Sequence, residues 1–423
     1  MKTNCQKLKK GLKLVTVSQP TAQSTVLLVF AGTGSGYEDR SISGISHFLE
    51  HLMFKGTVKR PTPLSVAEAI DSVGGVMNAF TGRDSTGYYA KVSPQHFDLA
   101  LDWISDIYLN AKLDEQDIKK EKKVILEELN MYLDLPMQYV DELWYKVLYD
   151  GHPLGQDIIG TPSTIKAMKR QDLIKYRREY YHAGNTVIVV AGKINQVDRL
   201  ADKIDNAFDS IPTRIKKSPP VLIEKQKQPK ILVHNKKTDQ THFCLGVRGY
   251  SLRQKERFPQ AVLATILGGN MSSRLFSLIR EQNSLAYYVK TYSESFKESG
   301  FLMTQAGVDN KRIDQAIEII LSEYGRMKKE LVLEAELKKA KEYLKGVFKL
   351  SLERPENLAS YYARFETLGL KSMSPEEMYR NIEKVNASEV KEIANNIFQN
   401  NRLNLALIGP SKASQFKKIL KIV

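Results

Sequence analysis

The chain has 423 residues, a formal net charge of +15, 42% hydrophobic and 26% charged residues, and two cysteines. That length exceeds what one hydrophobic core usually serves, so two or more domains are expected in a protein of ordinary globular composition. No apolar run approaches the roughly 18 residues of a membrane span, and two cysteines as distant as Cys5 and Cys244 argue against a disulfide scaffold or a four-cysteine metal site.

The first ten residues are basic and lack the apolar core of a secretory signal. With the lone cysteines, this makes a reducing cytoplasm the expected compartment. Leu12–Val17 and Thr25–Phe30 then read as paired strands leading into a helix. That helix carries the word His47-Phe48-Leu49-Glu50-His51. Positions i and i+4 of a helix share a face, so two imidazoles at that spacing can grip one divalent metal. Glu50 lies beside both and can reach a water on that metal without ligating it, as a general base must. The word reverses the more familiar His-Glu-x-x-His and has the inverzincin form. The plain alternative is an amphipathic helix whose histidines are satisfied by hydrogen bonds.

A catalytic zinc usually takes three protein ligands, so a third is sought on another element. The stretch from Asp114 to Leu133 reads as one long helix, rich in Glu, Lys and Leu and stopped near Pro136. Seven residues turn a helix by about 700°, so Glu121 and Glu128 differ by only about 20° around its axis, whereas Glu127 points about 120° away from Glu121. Of Glu121 and Glu128, one can ligate and the other can orient a histidine.

Residues 213–230 are rich in Pro, Lys and Gln and lack periodicity, and they read as a linker. Beyond it the plan repeats: Lys230–His234 and Thr241–Val247 as strands, then a helix over Phe258–Leu267 with neither His nor Glu. The expected fold is α+β, with two similar domains, each a mostly antiparallel sheet packed with helices. Their boundaries are 1–212 for a metal-binding domain and 231–423 for a metal-free one.

These residues together resemble the pitrilysin/insulinase zinc metallopeptidases, with closest likeness to the bacterial relatives of the mitochondrial processing peptidases. Gly34–Glu38, Phe54–Thr57, Gly74–Thr81, His152–Gly155 and Gly268–Leu275 are also similar to family segments. In that family the third ligand follows the second histidine by 76 or 77 residues, which Glu127 and Glu128 both satisfy. A supporting Glu seven residues before the ligand selects Glu128 with Glu121, the same pair that the helix geometry joins. The resemblance thus implies one zinc on His47, His51 and Glu128, Glu50 as base, and Glu121 as support. It also implies that Arg280 and Tyr287, seven residues apart, act on bound substrate: Arg can hold a peptide carbonyl and Tyr can hydrogen-bond a tetrahedral oxyanion. Tyr288 is the neighbour that register argues against. Asn78, Ala79 and Phe80 are the expected edge strand to which a peptide adds; on the residues alone they fit an interior strand equally. Two departures stand out: Gly36 where many members have Arg, and Ser284 where many have Gly.

The implied function is zinc-dependent endopeptidase cleavage of unstructured peptides or the processing of peptide segments. The rival reading is a non-catalytic or partner-dependent assembly subunit, which has no need of the full set of metal residues. A two-domain chain implies a dimer, either a homodimer or a heterodimer with a metal-free paralogue. The positive charge is spread along helices such as Lys338–Glu342, with no phosphate loop or aromatic RNA motif, so nucleic acid is not an expected partner, nor is a membrane.

Overall fold

The strands of each half settle into a sheet of its own in the computed structural model, which describes residues 2–195 and 197–422. The first sheet comprises β1 (Lys2–Lys7), β2 (Lys13–Ser18), β3 (Thr25–Ala31), β4 (Val76–Thr81), β5 (Thr86–Val92) and β6 (Thr186–Gly192). Its order is β1-β2-β6-β3-β5-β4, antiparallel except for the β2/β6 pair. The second comprises β7 (Lys230–Asn235), β8 (Gln240–Gly249), β9 (Ala286–Ser295), β10 (Gly300–Asp309) and β11 (Asn404–Gly409). Its order is β7-β11-β8-β10-β9, antiparallel except for β7/β11. Set β1 aside and the two sheets share one topology, an α+β pair of similar domains as expected.

β2 and β3, expected as a pair, do not pair directly, and neither do β7 and β8. β6 enters between β2 and β3, and Val189 stands opposite Val15 on one side and Leu28 on the other. β6 reads Thr-Val-Ile-Val-Val-Ala-Gly and is buried along its whole length. An apolar strand of this kind is most stable with both edges hydrogen-bonded and both faces covered. Local sequence shows that Leu12–Val17 and Thr25–Phe30 are strands, but not that a strand far along the chain will come between them.

Each unit is discontinuous in sequence. The first contains Met1–Asn130, Gln156–Pro220 and Leu350–Ser372; the second contains Met131–Gly155, Val221–Lys349 and Met373–Val423. The passage at Pro220 and Val221 falls inside the expected linker, which holds no regular element up to β7. The expected contiguous domains 1–212 and 231–423 are therefore corrected by one helix each way. Pro136–Leu148 belongs to the second unit, where Val140, Leu143, Trp144 and Val147 pack against Cys244, Phe301, Met303, Ala406 and Ile408. Pro355–Leu368 belongs to the first, tied by ion pairs from Lys13 to Glu366 and from Lys91 to Glu356, each 3.1 Å. The cause is the two-faced sheet: β3 and β6 are buried throughout and need helices on both sides. An amphipathic helix declares its apolar face in sequence, but not which sheet that face will cover. Among the described residues, no helix is long and apolar enough to cross a membrane.

Candidate metal centre

Helix Ile45–Met53 follows β3 and two short turns. It buries Ile45, Phe48, Leu49, Leu52 and Met53 in the core of the first unit. That leaves His47, Glu50 and His51 together on the other side. Its entry is tightly specified. Gly44 takes φ 92°, and a Cβ there would lie 2.3 Å from the Ile159 carbonyl oxygen. The buried Glu38 carboxylate accepts the N–H groups of Gly44 (2.7 Å) and Ser46 (2.8 Å), satisfying donors that a helix N-terminus otherwise leaves open. The second helix, Glu115–Leu133, buries Ile118, Glu121, Ile125 and Leu129, so the seven-residue repeat that joins Glu121 to Glu128 faces inward and Glu127 is exposed.

The two helices bring three ligand atoms to one point. Glu128 Oε2 lies 3.7 Å from His47 Nε2 and 3.5 Å from His51 Nε2, and the ligand atoms of these three residues all fall within 4.8 Å of one another. Such distances are long for hydrogen bonds. They match the roughly 3.4 Å between two ligands on a tetrahedral ion with bonds of about 2.1 Å. Among the described residues this is the one group of three that can hold a metal. The other histidines stand apart from it; His242, for instance, stacks on Tyr288 with Nδ1 2.9 Å from its hydroxyl.

The surroundings suit a cation. Burial pushes His47 down to about 3, so its imidazole is neutral with a lone pair to offer. Glu121 Oε1 lies 2.9 Å from His51 Nδ1. A carboxylate there accepts the Nδ1 hydrogen and leaves Nε2 free to ligate. Burial alone would raise Glu121, but hydrogen bonds from His51 and Lys55 outweigh it and hold the group below the usual carboxylate range. Burial raises Glu128, and it raises Glu50 despite a hydrogen bond from the Thr81 hydroxyl. His47 Nδ1 is buried with no hydrogen-bond partner among the described residues, so packing alone holds that ring.

Thr81 ends β4, which is an edge strand. Alternation along it turns Met77 and Ala79 onto the core, with Thr81 on the same face toward Glu50. Phe80 turns the other way against Phe30, with ring centroids 5.9 Å apart. The expected edge, Asn78 to Phe80, thus has one free side and ends at the candidate base.

Arg280 and Tyr287 lie on the second unit and are joined to each other. Arg280 Nη1 donates to the Tyr287 carbonyl at 2.9 Å, and its guanidinium stands 5.1 Å from the centre of the Tyr287 ring. Arg280 sits on a π-helical turn, Phe276–Gln282, a rare form often found at functional sites. In the pairing of β9 with β10, Ala286 faces Val308 and Tyr288 faces Gly307, which leaves Tyr287 as the extra residue of a bulge. Tyr287 is consequently 76% exposed. Ser284 takes φ 49°, a left-handed geometry that glycine adopts more easily, which accounts for the glycine often found there.

Glu38, Lys55 and Thr81 were not assigned roles from sequence. Lys55 had a usable signal, because it follows His51 at helical spacing; the contacts of Glu38 and Thr81 depend on other elements.

Comparison with known proteins places this geometry in context. Residues 13–162 match the insulinase family model, peptidase family M16, and residues 167–344 match the model described as the M16 peptidase inactive domain. The chain is 36% identical over 401 residues to the uncharacterized zinc protease YmxG of Bacillus subtilis, covering 95% of this chain and 97% of that one. It is 34% identical over 420 residues to an uncharacterized zinc protease of Rickettsia bellii, covering 98% and 99%. In fold it is similar to a protease from Helicobacter pylori, with a TM-score of 0.90 at 24% identity over 97% of this chain and 99% of that one. A chain of complex III2 from Candida albicans is also similar, with a TM-score of 0.83 at 19% identity over 99% of both.

Proposed function

The chain belongs to the insulinase (M16) family of peptidases, and from that premise we propose that it is a zinc-dependent endopeptidase acting on unstructured peptides. The observation that carries the proposal is the convergence of His47 Nε2, His51 Nε2 and Glu128 Oε2 at the spacing of ligands on one ion, with Glu50 one helical turn from His47. A zinc ion held by these three residues supplies electrophilic activation of water and of the scissile carbonyl.

The chain's own groups do the rest. Glu50 takes the proton of the attacking water and passes it to the leaving amine. Burial keeps that carboxylate more basic than usual, and the Thr81 hydroxyl fixes its other face. Glu121 holds His51 in the ligating tautomer. A peptide added to the free edge of β4 is held by main-chain hydrogen bonds that tolerate many sequences, and that strand runs up to Glu50 through Thr81. Arg280 is assigned to a substrate carbonyl and Tyr287 to the developing oxyanion. We further propose that the working form is a dimer, which the mass in solution by light scattering tests.

The deciding experiment is mass-spectrometric analysis of an unstructured peptide mixture incubated with the zinc-loaded chain, with and without chelator, beside Glu50→Gln. Chelator-sensitive cleavage that is lost in the variant is the expected result. No cleavage by zinc-loaded protein overturns the endopeptidase reading and favours a non-catalytic subunit.

A further inference from the structure

We infer that Lys55 is a positioning residue of the metal centre, fixing the carboxylate that in turn fixes His51. The inference rests on the metal-binding reading of His47, His51 and Glu128. Lys55 Nζ lies 2.8 Å from Glu121 Oε2, and Glu121 Oε1 lies 2.9 Å from His51 Nδ1. The two oxygens of one carboxylate thus have different partners, one on each side.

That division matters because the Glu121 side chain is only 5% exposed. Little water can reach it, so its oxygens depend on protein donors. A carboxylate held at one oxygen alone can swing about its terminal bond, whose torsional preference is broad. Held at both, it has one plane, and the His51 ring has one orientation. Lys55 is itself held in register. Helix Ile45–Met53 ends two residues before it, yet the Lys55 N–H continues the turn onto the Leu52 carbonyl at 3.2 Å. The next residue, Gly56, then turns the chain away at φ 136°, where a Cβ would lie 2.7 Å from the Pro61 carbonyl oxygen. Its own carbonyl accepts the N–H of Lys112 at 3.1 Å. The backbone around Lys55 is therefore anchored independently of Glu121, and the ammonium is presented to the carboxylate rather than carried by it.

An ion pair that served stability alone would affect folding and leave the metal untouched. The test therefore measures both. Zinc affinity is read by competition with a chromophoric chelator. Coordination geometry is read from the visible absorption of the cobalt(II)-substituted protein. The thermal midpoint of the metal-free protein serves as the measure of folding. Lys55→Met should weaken zinc by about tenfold, the lower end of the range for residues that orient a ligand, and should change the cobalt spectrum. Lys55→Arg, which keeps the charge and a donor, should restore most of both. Lys55→Gln replaces the methionine variant if that one does not fold. Wild-type affinity and spectrum in the uncharged variant, with only a lowered midpoint, overturn the inference. Failure of the unaltered chain to bind either metal overturns the metal-centre reading beneath it.

Discussion

The helix that follows β3 in the first unit and β8 in the second exists in two versions. Ile45–Met53 packs one side on the core and presents His47, Glu50 and His51 on the other. Arg257–Gly268, in the same place in the second unit, is buried from Phe258 through Gly268 except at Ala261 and has no side-chain cap at its start. A later pair of long helices repeats the contrast. Counted from the first residue of each, Val347 in Glu334–Ser351 falls where Glu128 falls in Glu115–Leu133, and Ala340 falls where Glu121 falls. Glu121 and Ala340 are both buried, while Val347 is exposed. The two units thus share a packing scheme, and the chemistry of one resides in a few side chains that the other replaces with apolar ones. A fold of this kind needs the apolar faces; it does not need the site.

That contrast can be broken at several points. Glu50→Gln should reduce peptide turnover by about 10²–10⁴-fold, the usual worth of a general base, while zinc content by elemental analysis stays at the wild-type level; unchanged turnover removes Glu50 from the mechanism. Next in size, Glu128→Gln should weaken zinc by more than the roughly 10–100-fold typical of an orienting residue, whereas Glu127→Gln, on the exposed face, should bind as the unaltered chain does. The reverse ranking in a chelator competition would identify Glu127 as the ligand.

Glu38 sharpens the comparison from the side of stability, because the helix Ile45–Met53 is anchored by its carboxylate, whereas Arg257–Gly268 has no side-chain cap among the described residues. Burial, outweighing the hydrogen bonds from Ser46 and Gly44, pushes Glu38 up to about 7 from an ordinary 4.5. Between those values the unfolded chain has released a proton that the folded chain keeps. The contribution therefore favours folding in acid and fades as pH rises from about 4.5 to about 7, by roughly 3 kcal/mol in all. Glu38→Gln has no such proton. Denaturant unfolding at pH 5 and pH 7 should show the stability difference between the two proteins moving toward the variant by about 2 kcal/mol, the larger part of that total. A difference independent of pH would mean that the carboxylate is ionised throughout. The smallest effect is expected from Val347→Glu. It restores a carboxylate in the second unit, but the preceding helix there offers no histidine, so zinc should remain at one per chain; a second equivalent would show that fewer ligands suffice.

Much of this was legible beforehand because it is local. Glu121 and Glu128 share a face through helical phase alone, and the structure buries Glu121 while exposing Glu127. The edge position of β4 was open on residues alone and becomes definite only in the sheet order. Lys55 and Thr81 were passed over because each acts on a residue far along the chain or on another element: Lys55 on Glu121, Thr81 on Glu50.

By itself the sequence determined the repeated α+β plan, the helix bearing two histidines and a glutamate, and the pair of carboxylates able to meet them. All of these follow from periodicities of 2 and 3.6, which need no knowledge of distant contacts. Tertiary structure decided the rest. It set β6 between β2 and β3, and it assigned Pro136–Leu148 and Pro355–Leu368 each to the sheet of the other half. It also closed the chain of contacts from Lys55 through Glu121 to His51. A helix or strand advertises what it must bury, but its partner is chosen by which faces of which sheets remain uncovered once the whole chain has folded.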